Sequence, residues 1–393
     1  MTSKKGISCA DLLTYIPDTL LTNLEHSTKT NHQIKKLSGK VMFKLLLATL
    51  LESERISLRV LESVYNSQQF SLLVGKNNKT RHTSLADRIN TIPAVFFKEI
   101  FNHLYTCFEH HSWDKNKQTL KIVRYDSTLV SLSSKLLQTG MQTGKGTKQR
   151  QLKYTLGLSN SLPLSVHLFT KQEEVSENIA LGTAILAAPL QENEIILFDR
   201  GLQKRSTFTA ITDQGKIFIT RLPERAKYKK KRVHKEVQGR TVGSLLLEKD
   251  WIVQLRHGDN TWEEQEFRLI EARSQTGEKL LFLTNNQTIR ASAITETYKK
   301  RWDIEVFFRF LKQELNMKHL VARSLNGIEV MLYMTLILAL LLQVYKISNR
   351  ITSYKQAKIL FRQDIEMEIM KELITFCGGD ISKLAEFKNR SPA

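Results

Sequence analysis

Asp126 in "VRYDSTLV" sits inside a short apolar run, and Asp199 in "IILFDRG" sits at the end of another. An uncompensated carboxylate inside an apolar strand is costly, so each calls for a partner. A third acid, Glu305, lies in "TETYKKRWDIEVFFRFLKQELN". Wound as a helix at 100° per residue, that stretch places Tyr298, Arg301, Glu305 and Lys312 within roughly 60° of each other. Ile304, Phe307, Leu311 and Leu315 fall on a different side, which reads as the core face. Taken alone, Arg301 and Glu305 at i,i+4 form a surface pair worth about 0.2–0.5 kcal/mol. Three converging carboxylates with no His or Cys nearby are hard oxygen ligands that suit Mg²⁺ or Mn²⁺. Two such ions, about 3.5–4 Å apart, activate a water or a 3′-hydroxyl and stabilise the leaving oxygen of a phosphodiester.

Bringing the acids together requires neighbouring strands and a helix crossing them. From Lys121 onward, "KIVRYDSTLVSL", "QLKYTLGLS" and "LPLSVHLFT" read as a three-strand meander. A helix over "SENIALGTAILAAPL", the apolar strand "EIILFDRG", a helix around Gln203–Thr212 and the strand "KIFITRL" follow. That order predicts a mixed α/β sheet with an early antiparallel portion, and strand ends are where open α/β sheets collect their sites. Between Arg221 and Arg240 stand nine Lys or Arg against two Glu, and three further strand-like runs come next. This block reads as an all-β insertion. Residues 1–115 and those after Ile347 read as helical, and a short helix from Ser84, a break at Pro93 and a longer helix fit either a helix-turn-helix or a plain bundle.

The net charge of +20 implies a polyanionic partner, with nucleic acid ahead of an anionic membrane surface or a ribosomal neighbour. Cys9, Cys107 and Cys377 are far apart, which argues against a disulfide framework or zinc ribbon and suits a reducing cytosol. The apolar run Val330–Tyr345 is shorter than the roughly 20 residues needed to cross a bilayer and reads as a buried helix, so no membrane partner is expected. "GMQTGKGT" at Gly140–Thr147 lacks the spacing and the Ser or Thr of a phosphate-binding loop, and reads as a basic hairpin tip. His103, Cys107 and His110 share a helical face at metal-ligand spacing without an evident fourth ligand, and read as packing residues.

The pattern Tyr298-x2-Arg301-x3-Glu305-x6-Lys312 resembles the Y-R-E-K signature of the DDE transposases of bacterial insertion sequences, in the group numbered four. "YDST" and "FDRG" resemble that group's first and second aspartate motifs, over roughly residues 120–345. The resemblance implies a ribonuclease-H-like catalytic domain over 116–346, interrupted by the β-rich insertion at about 224–285. Around it would stand a helical DNA-binding domain at 1–115 and C-terminal helices at 347–393, a candidate dimer contact. It implies Asp126, Asp199 and Glu305 as the catalytic, metal-binding triad, with two Mg²⁺ or Mn²⁺ ions. Arg301, Lys312 and Tyr298 would hold phosphates, Trp302 would stack on a displaced base, and Lys229, Lys230, Lys231 and Arg232 would lie along the DNA backbone. The expected protein is a cytoplasmic, nucleoid-associated bacterial homodimer that cleaves inverted-repeat ends and joins them to target double-stranded DNA. A metal-dependent nuclease without strand transfer, or a DNA-binding relative that has lost catalysis, are the alternatives.

Overall fold

The short apolar runs become strands and the long amphipathic or wholly apolar stretches become helices. The computed structural model describes residues 6–75, 79–110, 121–132, 140–142, 150–189, 194–237, 239–318, 321–322 and 324–381. The N-terminal helices are α1 (Cys9–Leu13), α2 (Asp18–Ser27), α3 (Gly39–Glu52), α4 (Leu58–Tyr65), α5 (Gln68–Val74), α6 (His82–Thr91) and α7 (Ala94–His110). Later come α8 (Glu177–Ala187), α9 (Arg205–Asp213), α10 (Ala291–Lys299), α11 (Trp302–Gln313), α12 (Leu325–Ser348) and α13 (Tyr354–Phe376). The chain divides into two units, one of Met1–Lys115 with Phe310–Ala393 and the other of Asn116–Arg309.

The first unit is helical. Serines open several of its helices by accepting a first-turn amide, as Ser38 does from Val41 and Ser324 from Gly327. Helix α12 is apolar all round and 89% of its most apolar window is buried, so it serves as the core helix that its composition predicts. It is long and apolar enough to cross a membrane by length and composition alone. Asn326 at its start fastens the break between α6 and α7, donating to Asn90 O and Ile92 O and accepting from Ala94 N.

The second unit holds a sheet built from β1 (Lys121–Ser131), β2 (Met141–Gln142), β3 (Arg150–Ser159), β4 (Leu162–Phe169), β5 (Glu194–Phe198) and β6 (Ile217–Leu222). It continues through β7 (Tyr228–Val233), β8 (Arg240–Val242), β9 (Leu245–Arg256), β10 (Trp262–Ser274) and β11 (Lys279–Thr284). The strand order is β2-β3-β1-β5-β6-β11-β10-β9-β7, with β4 on β3 and β8 on β9. Strands β1, β5 and β6 are parallel neighbours, and the remaining pairings are antiparallel. The strands after residue 224 therefore extend the same sheet, because β11 pairs with β6.

Strand β5 is buried along its whole length, as its apolar run Ile195–Phe198 with both faces covered should be. Ile196 and Phe198 pack with Val123, Tyr125 and the α8–α9 residues Leu181 and Phe208. Ile195 and Leu197 pack on the opposite face with Ile122 and the α10 residue Ile294. Side chains alternate along a strand, so Arg124 and Asp126 belong to the α10 face, with Ile122.

Candidate active site

Strands β1 and β5 run side by side with Tyr125 opposite Phe198, so Asp126 and Asp199 each follow a paired residue by one position. The adjacency that the two apolar runs require is present. Asp126 accepts the amide of Ser127 at 2.8 Å, and Asp199 Oδ1 accepts that of Gly201 at 2.8 Å. The hydroxyl of Thr220 donates to Phe198 O and Asp199 O, which tethers the end of β5 to β6. Gly201 leaves room for these side chains: a Cβ there would lie 2.8 Å from Asp199 Oδ1 and 3.1 Å from Glu177 Cγ, so one of them would have to shift.

Burial pushes the Asp126 carboxyl up to about 7. The Ser127 amide opposes the rise, the charge of Asp199 adds to it, Arg301 lowers it and Glu177 raises it again. A second carboxylate beside a buried one disfavours ionisation of both, and a bound cation removes that conflict. Tyr298 is pushed up to about 12 by burial and lies within electrostatic reach of Arg301 and Asp199, its ring 5.5 Å edge-on to Phe282.

Glu177 and Lys153 were not anticipated from the sequence. Glu177 opens α8, and its Oε1 receives Lys153 Nζ at 2.9 Å. Lys153 lies on β3, almost fully buried, and also donates to Val175 O. The other oxygen of Glu177 is buried without a hydrogen-bond partner. A lysine in the apolar run "QLKYTLGLS" was the available signal; its acidic partner lies 24 residues further on.

The Y-R-E-K stretch is two helices rather than one. α10 ends at Lys299, α11 begins at Trp302, and Lys300 and Arg301 form a turn between them. Hydrogen bonds there reach back three residues: Lys300 N to Thr297 O, Arg301 N to Tyr298 O and Asp303 N to Lys300 O. Tyr298 thus stands on α10, Arg301 in the turn and Glu305 in the first turn of α11. Arg301 Nη2 donates to Glu305 Oε1 at 2.5 Å, a half-buried pair with side chains 17% and 31% exposed. Ile304, Phe307, Leu311 and Leu315 are buried, as the face assignment predicts. Trp302 is 54% exposed. Lys312 sits in the last turn of α11, in the part of that helix that belongs to the first unit.

Among the described residues, no three His, Cys, Asp or Glu side chains are grouped closely enough to hold a metal ion as they stand. The acids form a neighbouring pair, Asp126 and Asp199, with Glu305 tied to Arg301. The donor set is still all oxygen, and the crowding around Asp126 together with the orphaned Glu177 oxygen fits a hard divalent cation. His103 lies 3.6 Å from Cys107 and interacts with Tyr15 O, so those two are packed, while the side chain of His110 lies outside the described residues. Of the Gly140–Thr147 hairpin tip, residues 143–147 also lie outside them.

Among the described residues, two basic surfaces lie elsewhere. Strand β7 closes the far edge of the sheet with Lys229, Lys230, Lys231 and Arg232 exposed. Lys230 stands 4.5 Å over the Trp251 ring, and Arg232 bridges Glu266 at 2.8 Å. In the first unit, a cleft of about 670 Å³ is lined by Lys35, Lys36, Lys79, Arg81 and Arg88, with Asp87 as its acid.

A mixed α/β sheet with one aspartate in the middle of β1 and another just past the end of its parallel neighbour β5, together with an Arg–Glu helix turn, is consistent with a ribonuclease-H-like transposase fold. The family described as "Transposase DDE domain" matches residues 117–342, more than half of the chain, and the chain belongs to that family. It is 24% identical over 245 residues to the Synechocystis protein named "Putative transposase for insertion sequence element IS4SA", covering 62% of this chain and 66% of that one. It is 27% identical over 163 residues to a Sinorhizobium fredii protein named "Putative transposase y4zB", covering 42% and 46%. With the Geobacillus stearothermophilus "Probable transposase for insertion sequence element IS5377" the identity is 25%, covering 38% and 39%. The matched segments span about half to two thirds of the first two relatives and less of the third.

Proposed function

We propose that this protein is a DNA transposase that cleaves at the inverted-repeat ends of an insertion sequence and joins them to target DNA. The observation that carries the reading is the Asp126–Asp199 pair, each one residue past the last β1–β5 partners Tyr125 and Phe198, in a chain of the transposase DDE family. Asp126, Asp199 and Glu305 would hold divalent cations, Mg²⁺ or Mn²⁺ and two in number. When bound, such ions supply Lewis acidity at a phosphodiester. Glu305 joins the two aspartates when Arg301 exchanges it for a phosphate. Arg301 and Lys312 hold phosphates near the scissile bond, Tyr298 contacts a phosphate through its hydroxyl, and the exposed ring of Trp302 stacks on a displaced base.

DNA is gripped mainly through phosphates, along Lys229–Arg232 and by the N-terminal helical domain. The lysine-lined cleft of the first unit supports the second part of that reading. Residues of about 224–285 act as an all-β insertion in the ribonuclease-H-like domain, the C-terminal helices join two copies into a dimer on DNA, and the protein works in the bacterial cytoplasm on the nucleoid. A nuclease of the same fold without strand transfer is the competing reading. Incubating the protein with end-bearing duplex DNA, target DNA and Mn²⁺ separates them. Joined products are expected; cleaved ends alone would favour the nuclease, and intact DNA would remove both.

A further inference from the structure

We infer that Arg124 is a positioning residue: it fixes the turn between α10 and α11 onto the strand that carries Asp126, and so sets where Arg301 and Glu305 stand. The inference rests on reading those residues as the active site.

Arg124 lies in β1 between Val123 and Tyr125, 4% exposed, in the middle of a sheet. A guanidinium there is tolerable only when its donors are satisfied. They are satisfied by three separate segments. Nη1 donates to Ile122 O at 3.3 Å and to Asn160 O at 2.8 Å, both at the sheet. Nε donates to Lys300 O at 2.5 Å, and Nη2 to Asp303 Oδ2 at 2.7 Å, both in the α10–α11 connection.

Those last two bonds fall on the break itself. Lys300 O lies one residue before Arg301, and Asp303 two before Glu305. The amphipathic pattern through Thr295–Asn316 favours one continuous helix, in which Lys300 O would accept from residue 304. It accepts instead from Arg124 and from Asp303 N, and Ile304 N turns to Arg301 O. Arg124 thus competes with helix continuation and holds the turn closed. Arg124 and Asp126 share one face of β1, so the residue that holds the turn and the acid that the turn faces move together. The fork geometry is specific to arginine, since a lysine ammonium reaches fewer of these acceptors at once. Asp303 is 56% exposed, so its substitution spares the core.

The test uses the full chain with Arg124→Met, Arg124→Lys, Asp303→Asn and the double variant R124M/D303N. Hydrogen exchange of the Lys300–Ile304 amides reads the turn directly and is expected to be about tenfold faster in R124M and D303N. Single-turnover cleavage should fall about 100-fold in R124M and about tenfold in D303N, as for a slight misplacement of catalytic groups. Affinity for Mn²⁺, read from the free-ion electron paramagnetic resonance signal, should fall about tenfold, as when an outer-shell partner of a metal ligand is removed. DNA affinity should change less than about threefold, because most of the residues proposed to hold phosphates, Lys229–Arg232 among them, lie away from this turn. R124K should recover part of the loss, and the double variant should be no worse than R124M. Unchanged exchange, or cleavage and Mn²⁺ affinity within twofold of wild type in folded D303N, would overturn the inference. Faster exchange beside a wild type that neither cleaves nor binds Mn²⁺ would uphold the clamp and count against the proposed function instead.

Discussion

Replacing Asp126 by Asn should stabilise the metal-free protein, and only above a definite pH. The carboxyl of Asp126 is raised from 3.8 to about 7 in the fold, first by burial and then by the charges of Asp199 and Glu177. A raised folded value means that the group's stability contribution is complete below about pH 4. It declines as the pH rises toward 7, because the unfolded chain ionises first, and is flat above. Each unit of difference corresponds to 1.36 kcal/mol, which sets a ceiling of about 4 kcal/mol. Relaxation and water penetration reduce this, so about 2 kcal/mol is a sound expectation. Asn keeps the acceptor for the Ser127 amide but does not ionise. For a unit of this size the gain corresponds to about 4–8 °C in Tm at pH 8 and little at pH 4.5. The assay is thermal unfolding in EDTA at the two pH values, repeated with Mg²⁺. The cation should stabilise wild type at pH 8 more than D126N. An equal Tm difference at both pH values, or none at pH 8, would refute the reasoning.

Glu305→Gln should leave the fold within about 0.5 kcal/mol, since it removes only the charge of an i,i+4 pair. The same change should cut strand cleavage about 100-fold or more, with DNA binding in a gel-shift assay retained. Replacing Lys35, Lys36, Lys79 and Arg81 by Ala should flatten the slope of log affinity against log salt by about 0.9 for each phosphate no longer neutralised. A slope equal to wild type would exclude the cleft from DNA binding. Gly201→Ala should destabilise by about 1–3 kcal/mol, because the added methyl meets Asp199 and the Glu177 stem; calorimetry reads this directly.

Asp126 and Asp199 were legible as candidates because each stands out against an apolar strand; that β1 and β5 are neighbours was only a condition of the sequence reading, and the fold supplies it. The burial of α12 was legible for a similar reason: it is apolar on every side. The break between α10 and α11 was not legible. Its local pattern is that of one helix, and the arginine that holds the turn lies 176 residues earlier. Glu177 was hidden in the same way, since its charge reaches Asp126 only after α8 folds against β1 and β3. What escaped the sequence is the pairing of a charged side chain with a distant segment. Periodicity reports which face a residue occupies, not which neighbour it meets there.

The lysines of β7 have a consequence separate from the contact with DNA proposed for them. Among the described residues β7 is the last strand of the sheet, and such an edge offers a row of backbone groups to any other strand. A row of exposed cations on that edge keeps a second copy away by repulsion and hydration. The stripe therefore acts as a guard against aggregation. Neutralising it to Gln would expose a sticky edge, and the resulting precipitation would imitate a loss of affinity. Charge reversal to Glu removes attraction for a polyanion while keeping the edge guarded, which makes it the cleaner experiment.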